Sequence, residues 1–149
     1  MDLQKELLST IKAELQILLL DHYEELTLNK NKVKLNPNWN RYFELEAQGK
    51  LHLFTLRDQT KLVGYSVFFL DKHIHYDDLM VATNDIIYLK KDERLGIAGI
   101  KLLKFSEQQM KLLGADKITW HIKMSQDFRP ILHRMGYVDE DVIVGKVLT

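Results

Sequence analysis

The segment from Asp85 to Gly114, DIIYLKKDERLGIAGIKLLKFSEQQMKLLG, concentrates residues whose types and spacing could do chemistry. An apolar stretch runs into a charged turn, then Arg94, then Gly96 and Gly99 three apart, then a helical pattern. Glycines at the head of a helix let a ligand approach the backbone closely. The helix start also offers unpaired N–H groups and the positive end of its dipole. Together these make an anion site suited to a pyrophosphate. Turn geometry or tight packing is the plainer use of the same glycines. The pair Lys90 and Lys91 could steer phosphates or form a solvated turn.

The titratable residues offer further chemistry. Asp85 is expected on a strand, two and four residues from Ile87 and Leu89 on the same face, where burial would raise its pKa. It reads as a general base or as a strand-end hydrogen-bond acceptor. His73 and His75 share one face if Lys72 to Tyr76 is extended. No third ligand is specified and the chain has no cysteine, so no metal site is expected there. The wall of an acceptor pocket and a solvated strand end are the two readings that remain. His121, between Trp120 and Ile122 with its side chain opposite theirs, is either a structural hydrogen-bonding residue or part of a site. His22, Tyr23 and Glu25 could border an acceptor site or make an ordinary polar helix end.

Two periodicities supply the elements that must hold these residues. Leu3, Leu7, Ile11, Leu15 and Leu18 recur at three- and four-residue spacing, the stripe of an amphipathic helix that fades by Glu25. After a polar loop, Asn38 caps a second helix that carries Trp39, Tyr42 and Phe43 on one face and stops at Gly49. Strands are expected at His52–Leu56, Lys61–Leu70 and Val81–Leu89, with a turn at Asp58–Thr60. A helix follows over Leu95–Leu113, ended by Gly114, then a half-buried strand from Ile118 to Met124. A short helix, Phe128–Met135, and a last strand or strands over Val142–Leu148 complete the order ααβββαβαβ. This is an α+β or α/β domain with one mixed, mostly antiparallel sheet flanked by helices.

Composition narrows the function classes. The 149 residues suffice for one domain spanning residues 1–149. Hydrophobic residues at 46% and charged residues at 28% fit a globular domain. Lys plus Arg and Asp plus Glu are equal at 21 each, which weighs against a protein that coats phosphate backbones. The absence of cysteine excludes a thiolate nucleophile and Cys-ligated zinc, and it fits a reducing cytoplasm. Apolar runs near the start fall far short of the ~20 residues that span a bilayer. No secretory signal is apparent, so a cytoplasmic location without membrane attachment is expected.

The Asp85–Gly114 segment resembles motif A of the GNAT superfamily of N-acetyltransferases: a strand, a short turn, Arg/Gln-x-x-Gly-x-Gly/Ala, then a helix. The stretch RPILHRMGYV is similar to the family's C-terminal signature, a short helix ending in Gly-Tyr or Gly-Phe, and the element order agrees over nearly the whole chain. DHYEELTLNK, HIHY and ITWHIK are similar to a group of GNAT-like proteins often encoded by phages, which would place the protein in a host cytoplasm. Two registers of motif A are open. Counting five residues from Leu89 puts Arg94 at the Arg/Gln position, Ile97 at the first glycine position and Gly99 at the second. The other register starts at Glu93 and uses Gly96 and Ala98, but a carboxylate there would repel a pyrophosphate.

The resemblance implies transfer of an acetyl group from acetyl-CoA directly to a primary amine. The strand residues Ile87, Tyr88 and Leu89 would pair with the pantetheine arm. Arg94 and the backbone of Leu95, Gly96, Ile97, Ala98 and Gly99 would hold the pyrophosphate. The family's usual acid, a Tyr four residues before the signature glycine, is replaced here by Leu132. Tyr137, Tyr88 and His133 are the nearby substitutes. Asp85, His121 and Tyr137 are the catalytic candidates, and Tyr23, His73 and His75 the acceptor-binding ones. Two alternatives stand beside this reading. One is a GNAT-fold binding module without turnover, which Leu132 and Ile97 motivate. The other is an acetyltransferase that modifies nucleic acid or aminoacyl-tRNA, which the neutral charge weighs against. A homodimer is compatible with either.

Overall fold

The hairpin of β2 (Leu51–Asp58) and β3 (Lys61–Lys72) is the frame of the fold, turning at Gln59 with φ +54°. Both strands are buried for nearly their whole length. Strands covered on both faces read as continuous apolar runs, as LHLFTL and LVGYSVFFL do here. In the computed structural model, which describes residues 1–149, a five-stranded sheet is built on this hairpin in the order β1-β2-β3-β4-β5. β4 (Met80–Leu89) pairs antiparallel with β3, and β5 (Lys117–Thr119) pairs parallel with β4.

One face of the sheet carries α1 (Leu8–Leu26) and α2 (Trp39–Ala47). Leu8, Ile11, Leu15, Leu18 and Leu19 pack there on Leu51, Leu53, Tyr65, Val67 and Tyr88, with Trp39, Tyr42 and Phe43 beside them. The other face carries α3 (Ala98–Leu112), whose Leu102 and Met110 pack on Phe54, Phe68, Leu70 and Ala82. A six-residue α4 (Arg129–Arg134) follows β5. The caps foreseen in the sequence are present: Asn38 Oδ1 accepts from Arg41 N at 3.1 Å, and Gly49 and Gly114 end α2 and α3 at φ +72° and +99°.

The ends of the chain depart from expectation. Asp2–Glu6 forms β1, which pairs antiparallel with β2 from Asp2↔Arg57 to Glu6↔Leu53, so Leu3 is a strand residue and not part of the helical stripe. The free edge of β2 offers a ladder that the spacing of Leu3 and Leu7 does not reveal. α1 then starts at Leu8 with no cap from its own preceding residue. Its first N–H groups are taken by Glu46 of α2, which accepts from Leu8 N at 2.5 Å and Ser9 N at 3.2 Å. At the other end no strand forms over Val142–Leu148. Val142, Ile143 and Val144 are exposed, and strand propensity is realised only through cross-strand packing, which these side chains lack. The strand expected over Ile118–Met124 keeps its ladder only to Thr119. α3 begins at Ala98, three residues later than the periodicity predicts.

Candidate active site

β4 contains an irregularity that decides which way its side chains point. Asn84 pairs with Phe68 and Ile86 with Val67, which leaves Asp85 as the extra residue of a bulge. Asn84, fully buried, ties the bulge down by donating from Nδ2 to the carbonyls of Val67 at 3.2 Å and Ile86 at 3.1 Å. Bulges re-aim side chains, and the phase of the pleat changes here. Met80 and Ala82, before the bulge, pack on the α3 side, whereas Ile86 and Tyr88, after it, pack on the α1/α2 side. Asp85 therefore does not share a face with Ile87 and Leu89. Ile87 packs with the α3 cluster, and Leu89 Cδ2 reaches to 3.6 Å from where a Cβ on Gly99 would stand.

Asp85 meets α2 instead. The Tyr42 hydroxyl donates to Asp85 Oδ2 at 2.6 Å, and the Tyr42 ring stacks on Phe69 at 6.4 Å. Burial holds the Asp85 carboxyl above the ordinary aspartate range, against the opposing pulls of the Tyr42 hydrogen bond and the charge of His121. Burial and the neighbouring carboxylate push the Tyr42 phenol up, so it stays a donor. His121 is exposed on the extended stretch after β5, close enough for its charge to act on Asp85. The only tie between Asp85 and His121 is this charge, and no hydrogen bond joins them. Tyr137 lies elsewhere, its hydroxyl donating to Glu107 Oε2 of α3 at 2.5 Å, where burial and Glu107 raise its pKa.

Beyond Thr83, β4 has no partner on its β5 side, because the parallel ladder ends at Thr83↔Thr119. The stretch that contains Ile87, Tyr88 and Leu89 thus presents an open edge, and it leads into the glycine turn. A short 3-10 turn (Lys91–Glu93) is followed by Arg94, by exposed Leu95, Gly96 and Ile97, and then by α3. No side chain caps α3, and none of the N–H groups from Leu95 to Gly99 donates to a protein acceptor. Nothing lies within 4 Å of a Cβ built on Gly96, and on Gly99 it would meet only Leu89 Cδ2 at 3.6 Å. Packing within the chain therefore does not demand either glycine. Ile97 has φ −91° and an exposed side chain, so its branched Cβ carries no backbone strain.

Arg94 does not project from the turn. Its Nε donates to Leu89 O at 2.7 Å, and its two terminal nitrogens donate to Glu25 of α1 at 2.5 and 2.9 Å. The buried Tyr88 hydroxyl donates to Glu25 Oε2 at 2.9 Å, and burial with Glu25 pushes the phenol up to about 12. His22 stacks on Tyr88 with ring centroids 4.9 Å apart and shares a 2.6 Å hydrogen bond with Tyr65. Burial pulls the His22 pKa down to about 4.

The acceptor candidates are scattered. The Tyr23 hydroxyl donates to Val33 O at 2.6 Å and so fastens the loop after α1. β3 ends at Lys72, and His73 and His75 stand in the loop before Met80 instead of on an extended strand. There His73 Nδ1 accepts from His75 N at 3.0 Å, and the loop closes with His73 N donating to Leu79 O. They lie past the Met80 end of β4, whereas the glycine turn follows its Leu89 end. Sequence reasoning passed over Tyr42 and Asn84 as site residues. The Tyr42–Asp85 pair is 43 residues apart, and nothing local to either residue announces it.

No protein-family profile matches the sequence, and no curated protein does either. Solved structures do match. An aminoglycoside acetyltransferase from an uncultured soil metagenomic sample, in complex with trehalose, superposes with a TM-score of 0.72 at 15% identity over 99% of this chain and 95% of that one. A ribosomal-protein-alanine N-acetyltransferase from Brucella melitensis biovar Abortus 2308 gives 0.70 at 15% identity over 100% of both chains. A predicted acetyltransferase from Clostridium acetobutylicum, solved with acetyl-CoA, gives 0.69 at 16% identity over 98% of this chain and 95% of that one. At such identities the likeness is one of fold, and it is the α+β acetyltransferase fold that the sequence resemblance implies.

Proposed function

We propose that the protein is an acyl-CoA-dependent N-acetyltransferase that moves an acetyl group from acetyl-CoA directly to a primary amine, acting as one domain in the cytoplasm. The observation that carries this reading is the run of unpartnered N–H groups from Leu95 to Gly99, continuous with the open edge of β4. Glycines that the chain's own packing does not require leave room there for a phosphate. The backbone of Ile87, Tyr88 and Leu89 would hold the pantetheine arm, and the N–H groups of Leu95, Gly96, Ile97, Ala98 and Gly99 the pyrophosphate. The bound cosubstrate supplies an activated thioester.

Asp85 is the base in this reading. Its raised pKa suits a group that must accept a proton from an ammonium or amine. Tyr42 fixes the carboxylate through Oδ2, and His121 tunes it by charge. Leu132 is buried and offers no acid, and the hydroxyls of Tyr88 and Tyr137 are committed to Glu25 and Glu107.

The test combines titration calorimetry with acetyl-CoA and a thiol-release assay across a library of primary amines. Binding with turnover is expected. Asp85→Asn should keep the binding and lower turnover about 100-fold, the lower end of what a positioned general base contributes. No binding at millimolar acetyl-CoA, or full turnover by Asp85→Asn, would refute the proposal.

A further inference from the structure

Arg94 is the one residue from Lys90 to Gly99 whose side chain is hydrogen-bonded, and all of its partners are in the chain. The backbone of this segment is held by Glu93 N to Lys90 O and Arg94 N to Lys91 O within the turn, and at its ends by Lys90 N to Val63 O and Lys101 N to Ile97 O. The one side-chain anchor of this segment is a fork. Arg94 Nε clamps the last carbonyl of β4, while its guanidinium takes both oxygens of Glu25, 69 residues away on α1. Side-chain exposure is 13% for Glu25 and 23% for Arg94, so the pair is partly shielded from water. The Tyr88 hydroxyl completes the set of donors to Glu25, and its ring lies 5.3 Å beneath the guanidinium. Bidentate pairs of this kind impose direction as well as energy.

We infer that Glu25 is a positioning residue for the phosphate-binding turn: it holds Arg94, and through Arg94 it fixes the direction of the N–H groups from Leu95 to Gly99. The inference rests on the function proposed above for what those groups bind. It assigns Arg94 a role as strut and not as ligand, so the anion is met by backbone and the cation stays with Glu25.

Two readouts test it, the first without any ligand. Backbone ¹⁵N order parameters for Leu95–Gly99 should fall from the rigid value of about 0.85 to below about 0.6 in Glu25→Ala. The Kd for coenzyme A should rise at least tenfold, about 1.4 kcal/mol, in Glu25→Ala and in Arg94→Ala. Because both act through one link, the double variant should bind no more weakly than the worse single variant. Glu25→Gln keeps the size and the acceptor for Tyr88, and it carries the same measurements should Glu25→Ala not fold. Unchanged order parameters overturn the inference, as do unchanged affinity or additive losses in the double variant. A wild-type protein that binds no coenzyme A refutes the proposed function instead, and the order parameters still decide the role of Glu25.

Discussion

The hydroxyl of Tyr42 and the carboxylate of Asp85 form a pair in which each alters the proton affinity of the other. Burial raises Asp85, and the Tyr42 hydrogen bond lowers it again by stabilising the charged form. Removing that bond in Tyr42→Phe should therefore raise the Asp85 pKa further. In the proposed reaction the rate falls as pH drops through that pKa, so the acid limb of kcat/KM should move to higher pH in Tyr42→Phe. A profile that stays in place would show that Asp85 does not govern it. Asp85 was legible as a candidate because a carboxylate among Ile86, Ile87 and Leu89 is out of place unless it is used. Its partner was not, since Tyr42 reads locally as one more aromatic on the apolar stripe of α2.

The glycine turn shows what an element contributes that no single residue does. Gly99 has no steric duty inside the fold, because a Cβ there would make an ordinary 3.6 Å contact with Leu89. Gly99→Ala should melt within a degree or two of the wild type. Gly99→Glu should fold as well, yet weaken acetyl-CoA at least tenfold, about 1.4 kcal/mol, because it sets a negative charge where a helix start favours anions. Glu93→Gln should leave affinity unchanged, and a reversed outcome would favour the Gly96/Ala98 register. Calorimetry on the three variants decides. Elements with a strong local signal, such as the apolar run of β3 and the helical stripe of α3, could be read from sequence to within a few residues. β1 could not, because its five residues carry one inward leucine and take their identity from the edge of β2. Nor could the cap of α1 by Glu46, which depends on how two helices meet.

For the molecule as a whole, the half-buried His22 contributes a pH dependence of stability. Its pKa is about 4 in the fold against an ordinary 6.5, so between these values the unfolded chain binds the extra proton and the native one does not. The His22 contribution to stability should thus be constant well above pH 6.5 and fall as pH decreases toward 4, by about 1.6 kcal/mol between pH 6.5 and pH 5. Chemical denaturation of wild type and His22→Gln over that range checks this, and equal slopes in the two proteins would contradict it. The Glu25 carboxyl, held below its ordinary range first by the Arg94 hydrogen bond, adds its own loss only at lower pH. The bulge at Asp85 also bears on how this molecule can vary. β4 serves the α3 layer with even-numbered residues before position 85 and the α1/α2 layer with even-numbered residues after it. Loss of the single codon at position 85 would close the bulge, leave Asn84 opposite Phe68 and Ile86 opposite Val67, and keep Ile86 and Tyr88 on the α1/α2 layer. A substitution at the same position would spare the packing and cost only the chemistry. Descent can therefore silence this site by exchange of one residue or by its loss, and in neither case must the layers of the core be rebuilt.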